Sequence, residues 1–76
     1  MKRYLVTVND DAAMFDEERT NIADSKHSAL DLLSSISSSN DQRLISVIEV
    51  DVYTAQTVKL EPFLNENFKF DLREKQ

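Results

Sequence analysis

The stretch that decides the fold runs from Leu44 to Tyr53 and reads LISVIEVDVY. Its residues fall into two alternating sets, as side chains do on the two faces of a β-strand. One set is almost entirely apolar and is expected to meet a packed layer: Leu44, Ser46, Ile48, Val50 and Val52. The other set turns acidic and is expected to meet water: Ile45, Val47, Glu49, Asp51 and Tyr53. The stretch therefore predicts a central strand that is covered on one face.

The segment before this strand predicts the layer that covers it. Its apolar residues recur at helical spacing, with polar residues on the opposite side. They are Ala29, Leu30, Leu32, Leu33 and Ile36. Asp24 or Ser25 is the expected N-cap of a helix that runs to about Ser38. Asn40 is expected to end the helix in place of the glycine that the chain lacks.

Shorter segments with strand patterns lie on both sides of these two elements. They are residues 4–8, with Tyr4, Val6 and Val8 on one face, residues 19–23, residues 57–60, and residues 68–72. In the second segment, Thr20 and Ile22 are expected to face inward. Pro62 is expected to end the third segment or to place it at a sheet edge. Since the chain has no glycine, asparagine and aspartate are expected to supply any residue with positive φ.

These elements predict an α+β fold of the order β-(β)-α-β-β-(β). A small antiparallel sheet of three to five strands would carry one amphipathic helix on one face, with the first and third strands side by side. Residues 1–76 are expected to form one small domain, with 73–76 as a frayed tail. The absence of cysteine and of a long apolar run favours a cytoplasmic protein.

The net charge of −5 is concentrated in one segment. Residues 10–24 contain six acids and one base, whereas the rest of the chain has eight of each. Five of these acids form a candidate protein-binding loop: Asp10, Asp11, Asp16, Glu17 and Glu18. Such a cluster suits a protein partner with a basic surface and disfavours direct binding of nucleic acid. A solvated loop is the alternative. The spacing of calcium loops is missing, so no metal and no cofactor is predicted.

A second candidate surface lies near the C-terminus. Phe63, Phe68, Phe70 and Leu72 could complete the core, or they could present an apolar edge to a partner or to a second copy in a homodimer. A catalytic site is not predicted. The chain offers no cysteine, no glycine loop and a single histidine, His27, on the polar face of the helix.

The sequence thus predicts a non-enzymatic, acidic protein-binding module. In size, acidity and layout it resembles short acidic proteins of phages and other mobile elements, among them inhibitors of bacterial CRISPR defence and DNA-mimicking proteins. That resemblance implies an inhibitor or adaptor of a protein partner, such as a nucleic-acid-binding host or defence protein. The alternatives are a homo-oligomeric structural or accessory protein that pairs through its C-terminal strand and, more weakly, a metal-dependent module that uses the acidic loop.

Overall fold

The computed structural model describes residues 1–10 and 17–76. The described residues form β1 (Lys2–Asp10), β2 (Glu17–Ala23), α1 (Lys26–Ser38), β3 (Gln42–Asp51), β4 (Thr57–Leu64) and β5 (Phe70–Glu74). The strands make one antiparallel sheet in the order β2-β1-β3-β4-β5, and α1 packs on one of its faces. The predicted α+β fold is confirmed, and β1 and β3 are neighbours as expected.

The core lies between α1 and the central strands. Its buried members are Tyr4, Val6, Val8, Ala23, Ala29, Leu33, Ile36 and Val47, with Leu30, Leu32, Leu44, Leu60 and Leu72 packed against them. The three residues from β1 alternate along the strand, and the three from α1 follow the helical period. The predicted apolar stripe of the helix is therefore confirmed.

The two ends of α1 are fixed by serine residues. Ser25 is the N-cap, and its Oγ accepts a hydrogen bond of 3.1 Å from the Ser28 N–H. At the other end, the Ser39 N–H donates to the Ile36 carbonyl at 3.1 Å, and Ser39 is extended. Asn40 has no positive φ, so its predicted role as a left-handed helix stop is wrong. Within the described ranges, no helix is long and apolar enough to cross a membrane.

A β-bulge in β3 reverses the faces that the alternation predicted. The register of β1 on β3 shifts between Thr7 and Val8, which leaves Ile45 as an extra residue. Beyond this residue the other set of side chains meets the helix layer. Val47 is 1% exposed in the core, whereas Ile48 pairs with Leu5 on the open face. The predicted faces are thus wrong for the part of the strand that follows Ile45.

The inward-facing residues of β2 are also reversed. Ile22 pairs with Leu5 on the open face of the sheet and is 62% exposed. Ala23 pairs with Tyr4 and is buried under the helix. Cross-strand partners share a face, so the register on β1 decides which residues of this edge strand are buried. The prediction for Thr20 and Ile22 is wrong.

The chain without glycine places Ala55 and Phe68 in the left-handed region, at φ 60° and 58°. Asparagine and aspartate do not take these positions, contrary to the prediction. Phe68 closes the turn between β4 and β5 by donating its N–H to the Asn65 carbonyl at 3.0 Å. Asn65 in turn accepts the N–H groups of Asn67 and Lys69 on its side-chain oxygen. Phe68 therefore belongs to the turn, and β5 begins at Phe70 instead of at residue 68.

Replacing Phe68 by glycine should raise the free energy of unfolding by about 1 kcal/mol. A residue with a Cβ atom is destabilised by about 1–2 kcal/mol in this conformation, and glycine removes that cost. The greater freedom of glycine in the unfolded chain offsets part of this stabilisation. Little burial is lost, because the side chain is 86% exposed. Phe68→Ala is the matched control, since it removes the ring and keeps the conformational penalty. Denaturant melts that rank the alanine variant at or above the glycine variant would contradict this prediction.

Pro62 marks the point where β3 and β4 separate. The ladder between them joins Val47–Val50 to residues 57–60 and stops there. The Lys59 carbonyl accepts from the Lys75 N–H, so the backbone groups of Lys59 point toward β5 and those of Pro62 point toward β3. Proline has no N–H to donate on that side. The strand nevertheless continues to Leu64, where it pairs with β5, and β4 lies inside the sheet. The prediction that Pro62 ends β4 or places it at the sheet edge is therefore wrong.

Candidate functional site

The acidic end of the β1–β2 hairpin is the first candidate site. The register places Asp10 directly opposite Glu17, and Asn9 opposite Glu18. Cross-strand partners lie about 4.5–5.5 Å apart, so the carboxylates of Asp10 and Glu17 lie close together on one face, while Glu18 lies on the other face of the same hairpin end. Asp11 and Asp16, the other two predicted members, lie outside the described residues. Strand pairing therefore brings two of the five predicted acids, Asp10 and Glu17, directly together, and Glu18 is their neighbour in the same hairpin end.

The two glutamates of this end are exposed to solvent. Arg19 Nη2 donates to Glu17 Oε2 at 3.1 Å, with both side chains more than half exposed. Hydrogen bonding to Glu17, and then the charges of Glu17 and Asp10, raise the pKa of Arg19. Gln42 Nε2 approaches Asp10 Oδ2 at 3.4 Å. Glu18 has no ion-pair partner in the described part of the chain.

One neutral acceptor adds to this end. Asn9 Oδ1 is buried, and no donor from the described residues reaches it. Buried acceptors are normally hydrogen-bonded, so such an oxygen requires a donor from elsewhere. The exposed acceptors of this end are its carboxylates, which are the complement of lysine and arginine side chains.

The C-terminal aromatic set does not form one surface. The Arg73 guanidinium lies over the Phe63 ring, 5.0 Å from the centroid of that ring, and Arg73 also binds Glu61 at 3.0 Å. Phe70 lines a cavity between the sheet and α1, and Leu72 packs against the core. Phe68 points into solvent. The sequence grouped these four residues by spacing, but they lie in three different environments.

The side chain of Asp71 covers part of the outer edge of β5. The Leu72 N–H points away from β4 and donates to Asp71 Oδ1 at 2.8 Å. Lys26 Nζ, from the start of α1, binds the same oxygen at 2.8 Å. These two contacts, the lysine first, lower the pKa of Asp71. Occupied donors and inward-turned charges are devices that discourage edge-to-edge pairing of sheets.

The strand β5 extends into residues 73–76, the segment that the sequence predicts to be a frayed tail. Arg73 and Glu74 are the last residues of the strand, and the Lys75 N–H donates to the Lys59 carbonyl at 2.9 Å. The ordered strand thus includes the first two residues of the segment 73–76. This extension places Lys59 and Lys75 directly opposite each other, a pairing of bases that the sequence analysis missed.

Two further candidates from the sequence are His27 and a metal site. His27 is exposed on α1, with Nε2 3.5 Å from Asp31 Oδ2 one turn further on. Within residues 1–10 and 17–76, no group of three histidine or acidic side chains is arranged to hold a metal ion.

No protein-family model, curated protein or solved structure matches this chain. Its function is therefore inferred from the arrangement of its own residues.

Proposed function

We propose that this chain is a non-enzymatic, cytoplasmic protein-binding module that acts as an inhibitor or adaptor. Its acidic hairpin end, formed by Asp10, Glu17 and Glu18, docks on a basic surface of the partner. The observation that carries this proposal is the direct opposition of Asp10 and Glu17 across the β1–β2 ladder.

This opposition does little for the fold itself. Like charges directly opposite each other destabilise a sheet, and Arg19 forms an ion pair with Glu17, one member of this pair. An exposed ion pair such as Arg19 with Glu17 contributes at most about 1 kcal/mol. Clustered carboxylates do, however, create a field that attracts a positively charged surface and speeds its association. The arrangement is better suited to recognition than to stability.

The partner class follows from the chemistry of the acceptors. Carboxylates on adjacent strands present closely spaced negative oxygens, as a nucleic acid backbone does. Proteins that grip phosphates do so with lysine and arginine, and those groups pair equally well with carboxylates. Blocking or recruiting a nucleic-acid-binding protein is therefore the form of inhibition or adaptation that we propose.

The double variant Glu17→Gln/Glu18→Gln should weaken partner binding and flatten its salt dependence. Its melting temperature should stay the same or rise, because repulsion within the hairpin is relieved. Wild-type protein would be used to capture partners, and double-stranded DNA should release them by competition. Affinity of the captured partner would then be measured at several salt concentrations.

Glu66→Gln/Glu74→Gln is the matched control for that experiment. It removes the same number of charges from exposed positions outside the hairpin end and should retain binding. Equal affinity of the wild-type and hairpin variants for the captured partner would refute the proposed function. So would an equal loss of affinity in both double variants, because net charge alone would then explain it.

A further inference from the structure

The separation of β3 from β4 opens a cleft in the sheet. The two strands pair only along Val47–Val50, and before this ladder no strand of the described residues lies beside β3 on the β4 side. A cleft of about 260 Å³ lies at the separation, and Ile48, Lys59 and Lys75 line it from the face away from α1. Its apolar walls come from Ile45, Ile48, Leu60 and Pro62. A concave, mainly apolar site with a few polar groups is the usual form of a small-molecule site.

Two lysines provide the polar groups of this cleft. Lys59 and Lys75 both line it, and the 2.9 Å hydrogen bond between their backbones places them directly opposite each other. In the described part of the chain, neither has an ion-pair partner. Glu61 is the acid of the lining, and Arg73 Nε already binds it at 3.0 Å. The facing ammonium groups repel each other, and an anion bound between them would be attracted to both.

A second apolar space lies on the helix side of the same separation. Leu44 and Pro62 line the cleft and also a second cavity of about 260 Å³ on the α1 side of the sheet. The second cavity is bounded by Leu33, Ile36 and Phe70 among others. The gap between the strands is thus flanked by apolar side chains on both faces of the sheet.

We propose that the cleft binds a small aliphatic carboxylate. The carboxylate head lies between the Lys59 and Lys75 ammonium groups, and the alkyl chain lies along Ile45 and Ile48 toward Pro62. Two charge-assisted hydrogen bonds hold the head, and burial of the chain contributes about 0.8 kcal/mol per methylene. An inorganic or sugar phosphate would leave the apolar walls unused. This site is separate from the acidic hairpin end in position and opposite to it in charge.

The test is a titration of ¹⁵N-labelled protein with octanoate, followed by NMR. Amide signals of Ile45, Ile48, Lys59 and Lys75 should shift together and saturate. Lys59→Gln/Lys75→Gln should weaken this binding at least about tenfold, because both charged donors are lost. The variant should remain folded, since it removes a like-charge pair, and its amide dispersion checks this.

Arg43→Gln/Lys69→Gln is the matched control, because these two bases also have no ion pair in the described part of the chain and do not line the cleft. It should bind octanoate as the wild type does. Octanol and inorganic phosphate are the probe controls, and each should bind much more weakly. Equal binding of octanol, equal binding of phosphate, or unchanged octanoate affinity in the Lys59/Lys75 variant would each overturn the proposal. An acidic peptide that shifts these signals when octanoate does not would overturn it in favour of a protein ligand.

Discussion

Leu33→Ala should lower the free energy of unfolding by about 2–5 kcal/mol. Leu33 is 3% exposed in the core between α1 and the sheet. It also lines the apolar cavity at the strand gap, so its loss enlarges a space that is already incompletely filled. Small domains have only about 5–15 kcal/mol of stability in total, and this one has no disulfide to add to it. The substitution should therefore remove a large share of the total.

Denaturant melts provide the measurement, with Ser34→Ala as the control. Ser34 follows Leu33 in the helix and is exposed. Alanine is the better helix former, so the control should be as stable as the wild type or slightly more stable. Equal stability of the two variants would show that the packed face of α1 is wrongly assigned.

Deleting residues 67–76 should unfold the protein. The deletion removes β5, and with it the ladder on β4 and the packing of Phe70 and Leu72 beneath α1. It also removes Asp71, which ties the start of the helix to the sheet edge through Lys26. Circular dichroism and NMR dispersion would show the loss of structure directly.

A chain that ends after Glu74 is the control for this deletion. It keeps every residue of β5 and should stay folded, with a small loss from the missing Lys75 hydrogen bond. Sedimentation of the intact protein over a range of concentrations distinguishes a structural role from an interface. A folded monomer after the longer deletion, combined with an intact protein that dimerises, would contradict the structural role of β5.

The fold was predictable where one period dominates the sequence. The helix and β1 each have a single apolar face, so the pattern alone identifies their buried residues. In β3 the pattern failed at Ile45, because both sets of alternating residues are apolar there and a bulge leaves no local signal. The faces of β2 failed for a related reason. Ala23 is small and Ile22 is large, yet the register on β1 buries the smaller residue.

The candidate sites differ in the same way. The acids of the hairpin end are close in sequence, so composition was enough to find them. Lys59 and Lys75 are distant in sequence and meet only through the β4–β5 register, which the turn at Asn65 and Phe68 sets. That turn has a bulky residue at a position where glycine is favoured. Turn-residue preference therefore predicted neither the start of β5 nor the opposition of the lysines.

The short ladder between β3 and β4 also divides the molecule into parts of unequal local stability. β1 is paired along its length on both sides, whereas the β4–β5 hairpin is held by the Val47–Val50 ladder and by its contacts with α1. Elements with fewer ties open at lower free energy than the rest of a fold. The β3–β4 ladder is therefore expected to open at lower free energy than the ladders that β1 makes, although β4 and β5 still contribute Leu60 and Leu72 to the common core. Pro62 lies just beyond the end of this ladder, so the cleft borders the sheet pairing that is expected to open first.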